Sequence, residues 1–245
     1  MNPLTKNTLT IGFAWCGPVF VITYLIFWIG FGHNAPPPNF VDMTGAELIA
    51  EYYGKFNDHI KIGMAGSTVV GLLYVAWSMV LADIMVQNGG SSVFSNLELA
   101  GGILTGWLLA FCPAIWLSCA TFVGVVDPNV IKMVHSFTWY IYDMTYWITG
   151  MQLLGIGFYT IFNHEQKVFP TWAGWAAVAV GVIFLPLTLI AFVPTGPFAV
   201  GGSWNFFIVF GTWGFAFFSV YSYCVLKELY RQRSELRAQY VTQPA

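Results

Sequence analysis

The chain has 245 residues, of which 57% are hydrophobic and 8% charged, with a formal net charge of −2. A soluble domain carries about 25% charged residues, so there is too little polar surface here to coat a water-soluble globule, and the near-balanced charge argues against nucleic acid as a partner. Cys16, Cys112, Cys119 and Cys224 all fall in apolar runs without a C-x-x-C pair, a pattern of small packing residues rather than of a disulfide framework or a metal site.

A membrane-spanning helix takes roughly 20 mostly apolar residues. Six runs reach that length: 8–32, 62–86, 99–125, 136–162, 172–193 and 204–226. The first is preceded by a single basic residue, Lys6. It is too long for a signal-peptide core and has no small-residue cleavage site, so it reads as a retained helix. Breakers and charges separate the runs: Ala35-Pro36-Pro37-Pro38, Asn88-Gly89-Gly90-Ser91-Ser92, Asp127-Pro128-Asn129, Asn163-His164-Glu165-Gln166-Lys167 and Pro194-Thr195-Gly196-Pro197. The expected architecture is all-α: one integral membrane domain over 1–245, a bundle of about six transmembrane helices, with a basic tail over 227–245.

An even number of spans puts both termini on one side of the bilayer. Lys6, Lys167, Lys227, Arg231, Arg233 and Arg237 gather there, against Lys55, Lys61 and Lys132 opposite. The positive-inside rule then places both termini in the cytoplasm.

The first outer loop, 33–61, carries a short amphipathic helix. Thr44-Gly45-Ala46-Glu47 is a capping box, in which each polar side chain takes an orphan backbone N–H. Leu48, Ile49, Tyr52, Tyr53 and Phe56 then share a face, while Glu51 and Lys55 sit four apart on the other. Such a helix lies along the membrane surface or caps the bundle mouth, or else it is a connecting helix that merely packs. Pro18, Pro113 and Pro186 fall inside spans and predict kinks. Gly102-x-x-x-Gly106 and Ala177-x-x-x-Gly181 predict close helix contacts.

Ionisable residues inside spans are the best pointers to chemistry, because even the mildest scale charges roughly 2.5–3.5 kcal/mol for burying one in hydrocarbon. Asp83 and Glu98 fall near the cytoplasmic ends of spans two and three and read as interfacial or helix-end residues. Asp143 lies about 10 Å into the fourth span at roughly 1.5 Å per residue. Its helical neighbours are Trp139, Tyr140, Tyr146 and Trp147, with Ser136 and Gly150 a turn further each way.

One face therefore combines an acid, two phenols and two indoles. Two readings follow: a lipophilic-ligand pocket with Asp143 as polar handle or general acid, or a buried acid tying helices together. His135, at the outer end of the same span, reads as an interface residue. Gln152 is about half a turn out of phase with Asp143 and should face a different neighbour. His135, Trp204 and Asn205 all start spans on the outer side, where a shared vestibule is one arrangement. Trp28, Trp139, Trp172, Trp175 and Trp204 fit an interfacial belt, whereas Trp77, Trp107, Trp116, Trp147 and Trp213 lie deeper.

No phosphate-binding loop, H-E-x-x-H or C-x-x-C-H is present, and no Lys or Arg lies deep in a span. Nothing in the sequence calls for a cofactor or a metal.

The second half carries Phe169-Pro170-x-Trp172-x-Gly174, then Pro186, then Thr195-Gly196-Pro197-Phe198-Ala199, preceded by Gln152-x-x-x-x-Gly157. In these residues, over about 136–207, the chain resembles a group of bacterial polytopic membrane proteins for which no activity or catalytic residue is established. Members usually read Trp-Asn-Gly after Phe-Ala, where this chain has Val200-Gly201-Gly202. The resemblance implies a multi-pass protein of a bacterial inner membrane and implies no reaction.

Three functions compete at this point. The first is binding or transport of a lipophilic small molecule at Asp143, Trp139, Tyr140, Tyr146 and Trp147. The second is an intramembrane isomerase, hydratase or cyclase of a terpenoid, steroid or fatty substrate, with Asp143 as catalytic acid. The third is a non-catalytic subunit of a membrane complex or homo-oligomer.

Overall fold

The computed structural model describes residues 1–89, 92–166 and 168–242. Gly90, Ser91 and Lys167 of the linkers, and residues 243–245 of the tail, lie outside the described residues. Every regular element among the described residues is helical. Among the described residues five helices are long and apolar enough to cross a membrane: α1 (Pro3–Phe31), α3 (Asn57–Gln87), α4 (Ser92–Thr121), α7 (Thr171–Ala191) and α8 (Trp204–Gln239). Large apolar side chains such as Val69 (71% exposed) and Phe215 (81% exposed) cover their outer faces. That inside-out surface is what lipid, rather than water, requires. The chain is a helical membrane protein.

The expected fourth span is not one helix. Over 136–162 the chain forms the end of α5 (Pro128–Met144) and α6 (Trp147–Phe162), separated at Thr145–Tyr146. The two lie end to end, antiparallel to α4, along its whole length. Trp116 meets Trp139 at 4.7 Å between ring centroids, Thr105 Oγ1 meets Thr149 Oγ1 at 2.9 Å, and Phe94 meets Phe158 at 6.4 Å. About six spans therefore become five helices long enough to cross, with single-residue irregularities at Leu72 of α3 and Phe184 of α7, and one shorter pair interrupted at Thr145–Tyr146.

Glycine makes the α4–α6 contact. A Cβ on Gly101 would stand 2.5 Å from the Gln152 backbone nitrogen, and one on Gly155 would stand 2.7 Å from that of Glu98. Gly102 and Gly106 turn instead to α3, where a Cβ would meet Ser78 Oγ at 1.8 Å and Val75 Cγ2 at 2.5 Å. α4 is thus clasped on two faces, and the Gly102-x-x-x-Gly106 spacing serves the close approach expected of it.

Regular helix gives way in several spans. α1 widens to a π-helix over Leu25–Phe31, and α8 does so over Trp204–Val209 and Thr212–Ser219. α7 tightens to a 3-10 helix over Leu185–Ala191, with Pro186 in its first turn. Beyond the apolar part, α8 continues through the basic tail, where Arg231 bridges Glu228 (2.7 Å) and Glu235.

The short loop helix α2 (Gly45–Leu48) extends as a π-turn over Ile49–Tyr53. Its capping box is present: Glu47 N donates to Thr44 Oγ1 (3.2 Å) and Thr44 N donates to Glu47 Oε2 (2.7 Å). The Thr44 backbone N–H first, and the Thr44 hydroxyl after it, hold the Glu47 carboxyl below its ordinary range. Leu48, Tyr52 and Tyr53 are buried, and Lys132 donates to the Met43 carbonyl. The helix caps the bundle mouth, one of the placements its amphipathic face allowed.

Gly101→Ala is expected to lower unfolding stability by about 1–3 kcal/mol, because the added methyl meets backbone that cannot rotate away. Thermal unfolding in detergent reads this, with exposed Gly12→Ala, which has open space around it, as the neutral control.

Candidate functional site

A cavity opens where α5 gives way to α6. It has a volume of about 60 Å³, room for a few water-sized groups. α5 contributes Tyr142 and Asp143, the interruption Tyr146, and α6 Thr149. α4 closes one side with Thr105 and Leu109, α7 another with Phe184 and Leu187, and the π-helical part of α8 a third with Asn205, Phe210 and Trp213. Asp143 is 3% exposed, and its Oδ2 accepts a hydrogen bond from Asn205 Nδ2 at 2.9 Å. Its other oxygen has no protein hydrogen bond among the described residues. Tyr146 OH pairs with Thr188 Oγ1 at 2.7 Å, and Tyr142 OH faces Tyr24 OH at 3.3 Å. The polar side chains of the lining are thus one acid, one amide, four hydroxyls and the Trp213 indole N–H on an otherwise apolar wall.

The interruption explains which sequence candidates gather here. Thr145 N still donates to Ile141 O (3.3 Å) and Ile148 N to Thr145 O (2.9 Å), so the ladder resumes after one irregular turn. Tyr146 stays on the cavity side with Asp143. Trp147 does not: it is 47% exposed and lies over Gly150 on the outer surface. Tyr140 also leaves the group, facing Phe40 of the outer loop edge-on at 6.4 Å. Trp139 is buried next to the cavity without lining it. Tyr142, Thr149 and Asn205 complete the site instead. Asn205 was within reach of sequence reasoning as a polar residue at the start of a span; the pairing itself had no sequence signal.

Trp139 belongs to an aromatic layer between the cavity and the outer cap. The Trp28 ring stacks at 5.8 Å on Tyr142 and at 5.4 Å on Phe210, both of which line the cavity, and meets Trp139 edge-on at 5.9 Å. His135 ties this layer to the cap. Trp139 Nε1 donates to His135 Nε2 at 3.1 Å, and His135 Nδ1 lies 2.7 Å from Tyr53 OH. An indole N–H only donates, so Nε2 is an acceptor and Nδ1 carries the proton toward Tyr53.

His135, Trp204 and Asn205 therefore form no common vestibule: Trp204 Nε1 donates to Ile183 O at 3.1 Å, and Asn205 goes to Asp143. Trp28 and Trp139, placed by depth in an interfacial belt, are 2% and 1% exposed, while Trp107 at 49% faces outward. Position along a helix gives depth, and only packing gives direction.

Asp83 keeps part of its surface exposed and accepts from Gln87 Nε2 at 2.6 Å. Glu98, read from its depth as interfacial, is instead fully buried, and its Oε1 accepts from Ser78 Oγ and Gln152 Nε2, both at 2.8 Å. Gln152 Oε1 in turn accepts from Tyr74 OH. Gln152 faces a different neighbour from Asp143, as its phase requires, and that neighbour is a second acid.

The residues of the resemblance hold helices together. A Cβ on Gly174 would stand 2.9 Å from the Gly157 carbonyl oxygen. Pro170 precedes the first turn of α7, and Trp204 N donates to the Pro197 carbonyl at 2.9 Å.

Among the described residues no group of three or more His, Cys, Asp or Glu is placed to hold a metal ion. No known protein family, curated protein or solved structure matches the chain, so geometry alone carries the functional reading.

Asn205→Leu is expected to destabilise the protein by about 1–3 kcal/mol, since it leaves a buried carboxyl oxygen without its donor. Asp143→Asn, which keeps shape and hydrogen-bonding capacity, should leave the melting temperature within a degree or so of wild type on the same thermal scan, about a few tenths of a kcal/mol.

Proposed function

We propose that the protein binds and moves a lipophilic small molecule, held by its polar end in the cavity at Asp143. The observation that supports this most is the coincidence of a helix interruption, a cavity and a buried acid at one point, midway along α4. Irregular backbone at membrane depth is tolerated where it lines a cavity, and discontinuous helices are a recurring way to build a substrate site near the bilayer midplane. The lining matches such a molecule. Phe184, Leu187, Phe210 and Trp213 offer apolar contact, and Asp143 offers an acceptor to a hydroxyl or amine.

Conversion of the molecule has less support, because the lining contains no second carboxylate, histidine or lysine to alternate with Asp143 as acid and base. The balance of six basic residues at the end holding the termini against three at the other supports a cytoplasmic location for both termini. The resemblance over 136–207 supports a bacterial inner membrane.

Mass spectrometry of lipophilic molecules that copurify in mild detergent tests the reading. A discrete compound retained by wild type and depleted at least tenfold in Asp143→Asn is expected, the loss of about 1.4 kcal/mol of binding. Identical bulk lipid in both proteins would favour a non-catalytic subunit instead, and turnover of an added compound would favour the enzyme.

A further inference from the structure

Glu98 takes no part in the Asp143 cavity, and its surroundings are nevertheless specialised. The side chain is fully buried. Oε1 accepts from Ser78 Oγ and Gln152 Nε2, both at 2.8 Å, while Oε2 is buried with no hydrogen-bond partner. Ser78 of α3 and Gln152 of α6 donate to the carboxyl, Tyr74 of α3 stands behind Gln152 and donates to its Oε1, and Gly155 of α6 packs on the Glu98 backbone. None of these is charged, and Tyr74 is the titratable group among them. An ionised carboxylate would therefore leave one buried oxygen without any counter-charge, which a low-dielectric interior strongly disfavours. A metal cation asks for several oxygen ligands, whereas a single unoccupied oxygen is on offer. A proton is the one cation that this geometry suits.

The cluster is joined to the cavity. Tyr74, which donates to Gln152, stacks on Trp213 at 5.8 Å and 19°. Trp213 lines the Asp143 cavity, as does Thr149, one turn from Gln152 on α6. In the other direction, one turn beyond Gly155, Tyr159 OH donates to the Asn88 carbonyl at 3.3 Å. Asn163 Nδ2 donates to the same carbonyl at 2.9 Å. This is the end of the bundle where the helices meet water.

We propose that Glu98 is a proton-binding site, loaded while α3, α4 and α6 are closed around it and emptied to water at the Asn88–Asn163 end when they part, so that occupancy of the Asp143 cavity is coupled to proton uptake. On emptying, the Glu98 O–H bond breaks, its electron pair stays on the carboxylate, and the proton passes to water. The proton site stands on its own geometry; only the coupling rests on the reading of Asp143 as a ligand cavity.

Infrared spectra of the purified full-length protein, titrated with pH in mild detergent, test the proposal. Asp143→Asn, in which Asp143 contributes no carboxyl, is expected to show a protonated-carboxyl C=O band at neutral pH that is lost reversibly as pH rises, and Glu98→Gln added on that background is expected to lack it. Ser78→Ala, which keeps the acid and removes one donor, guards against a folding defect in Glu98→Gln: it should keep the band and move the pH at which it is lost. The proposal is overturned if Glu98→Gln on the Asp143→Asn background retains the band. It is also overturned if the band does not respond to pH anywhere in the range in which the protein stays folded, as a sealed structural acid would behave. Failure of the cavity reading is separate: it would be seen as identical copurifying lipid in wild type and Asp143→Asn, with this band unchanged.

Discussion

In hydrocarbon every backbone N–H and C=O must be satisfied by the protein itself, and this constraint decides where a span of this bundle is allowed to break. The chain breaks at Thr145–Tyr146, where Thr145 Oγ1 donates to the Ile141 carbonyl at 2.8 Å and α4 runs alongside without interruption. The polar side chains that a broken helix needs nearby (Thr105, Asp143, Thr149 and Asn205) are the same ones that give the cavity its chemistry. Structure and candidate function thus arise from one requirement. A helix cannot be interrupted in lipid without polar company, and polar company in lipid is a binding site in waiting.

α4 makes the interruption affordable. Its glycines let α3 and α6 approach to backbone distance on two faces, so that α5 and α6 can be separate helices and still lie along one continuous support. The aromatic layer around Trp28 then separates the cavity from the outer cap. Among the described residues the Trp28 indole N–H has no hydrogen-bond partner, and neither does that of Trp116, which packs on Trp139 and Tyr142 of the same layer. Those unmet donors offset part of the stabilisation that ring packing supplies. The same α4 also carries Glu98, which places two buried acids within reach of one α4–α6 contact and keeps them apart in separate polar clusters.

Much of this was legible in the sequence. The outer limits of the spans follow from apolar run length, and the capping box at Thr44 fixes the start of α2. Asp143 and Tyr146, the acid and the neighbouring phenol that the sequence pairs, line one cavity. What escaped was direction. Thr145 and Tyr146 are not helix breakers, so nothing marked the interruption, and a continuous helix wheel carried Trp147 to the wrong side. Glu98 stands only seven residues into α4 and looked wet by depth. Its burial is set by Gly101, Gly102 and Gly155, whose partners lie on other helices. Periodicity reads one helix at a time, and the candidate sites are made where three meet.

The most direct test of the interrupted span is amide hydrogen exchange of the protein in lipid nanodiscs. The interruption predicts a local maximum of exchange around residues 143–149, flanked by strongly protected amides in α5 and α6 and faced by protected amides across Leu108 and Leu109 of α4. Uniform protection through 136–162, as in a single unbroken helix, would contradict it and would remove the structural basis of the cavity.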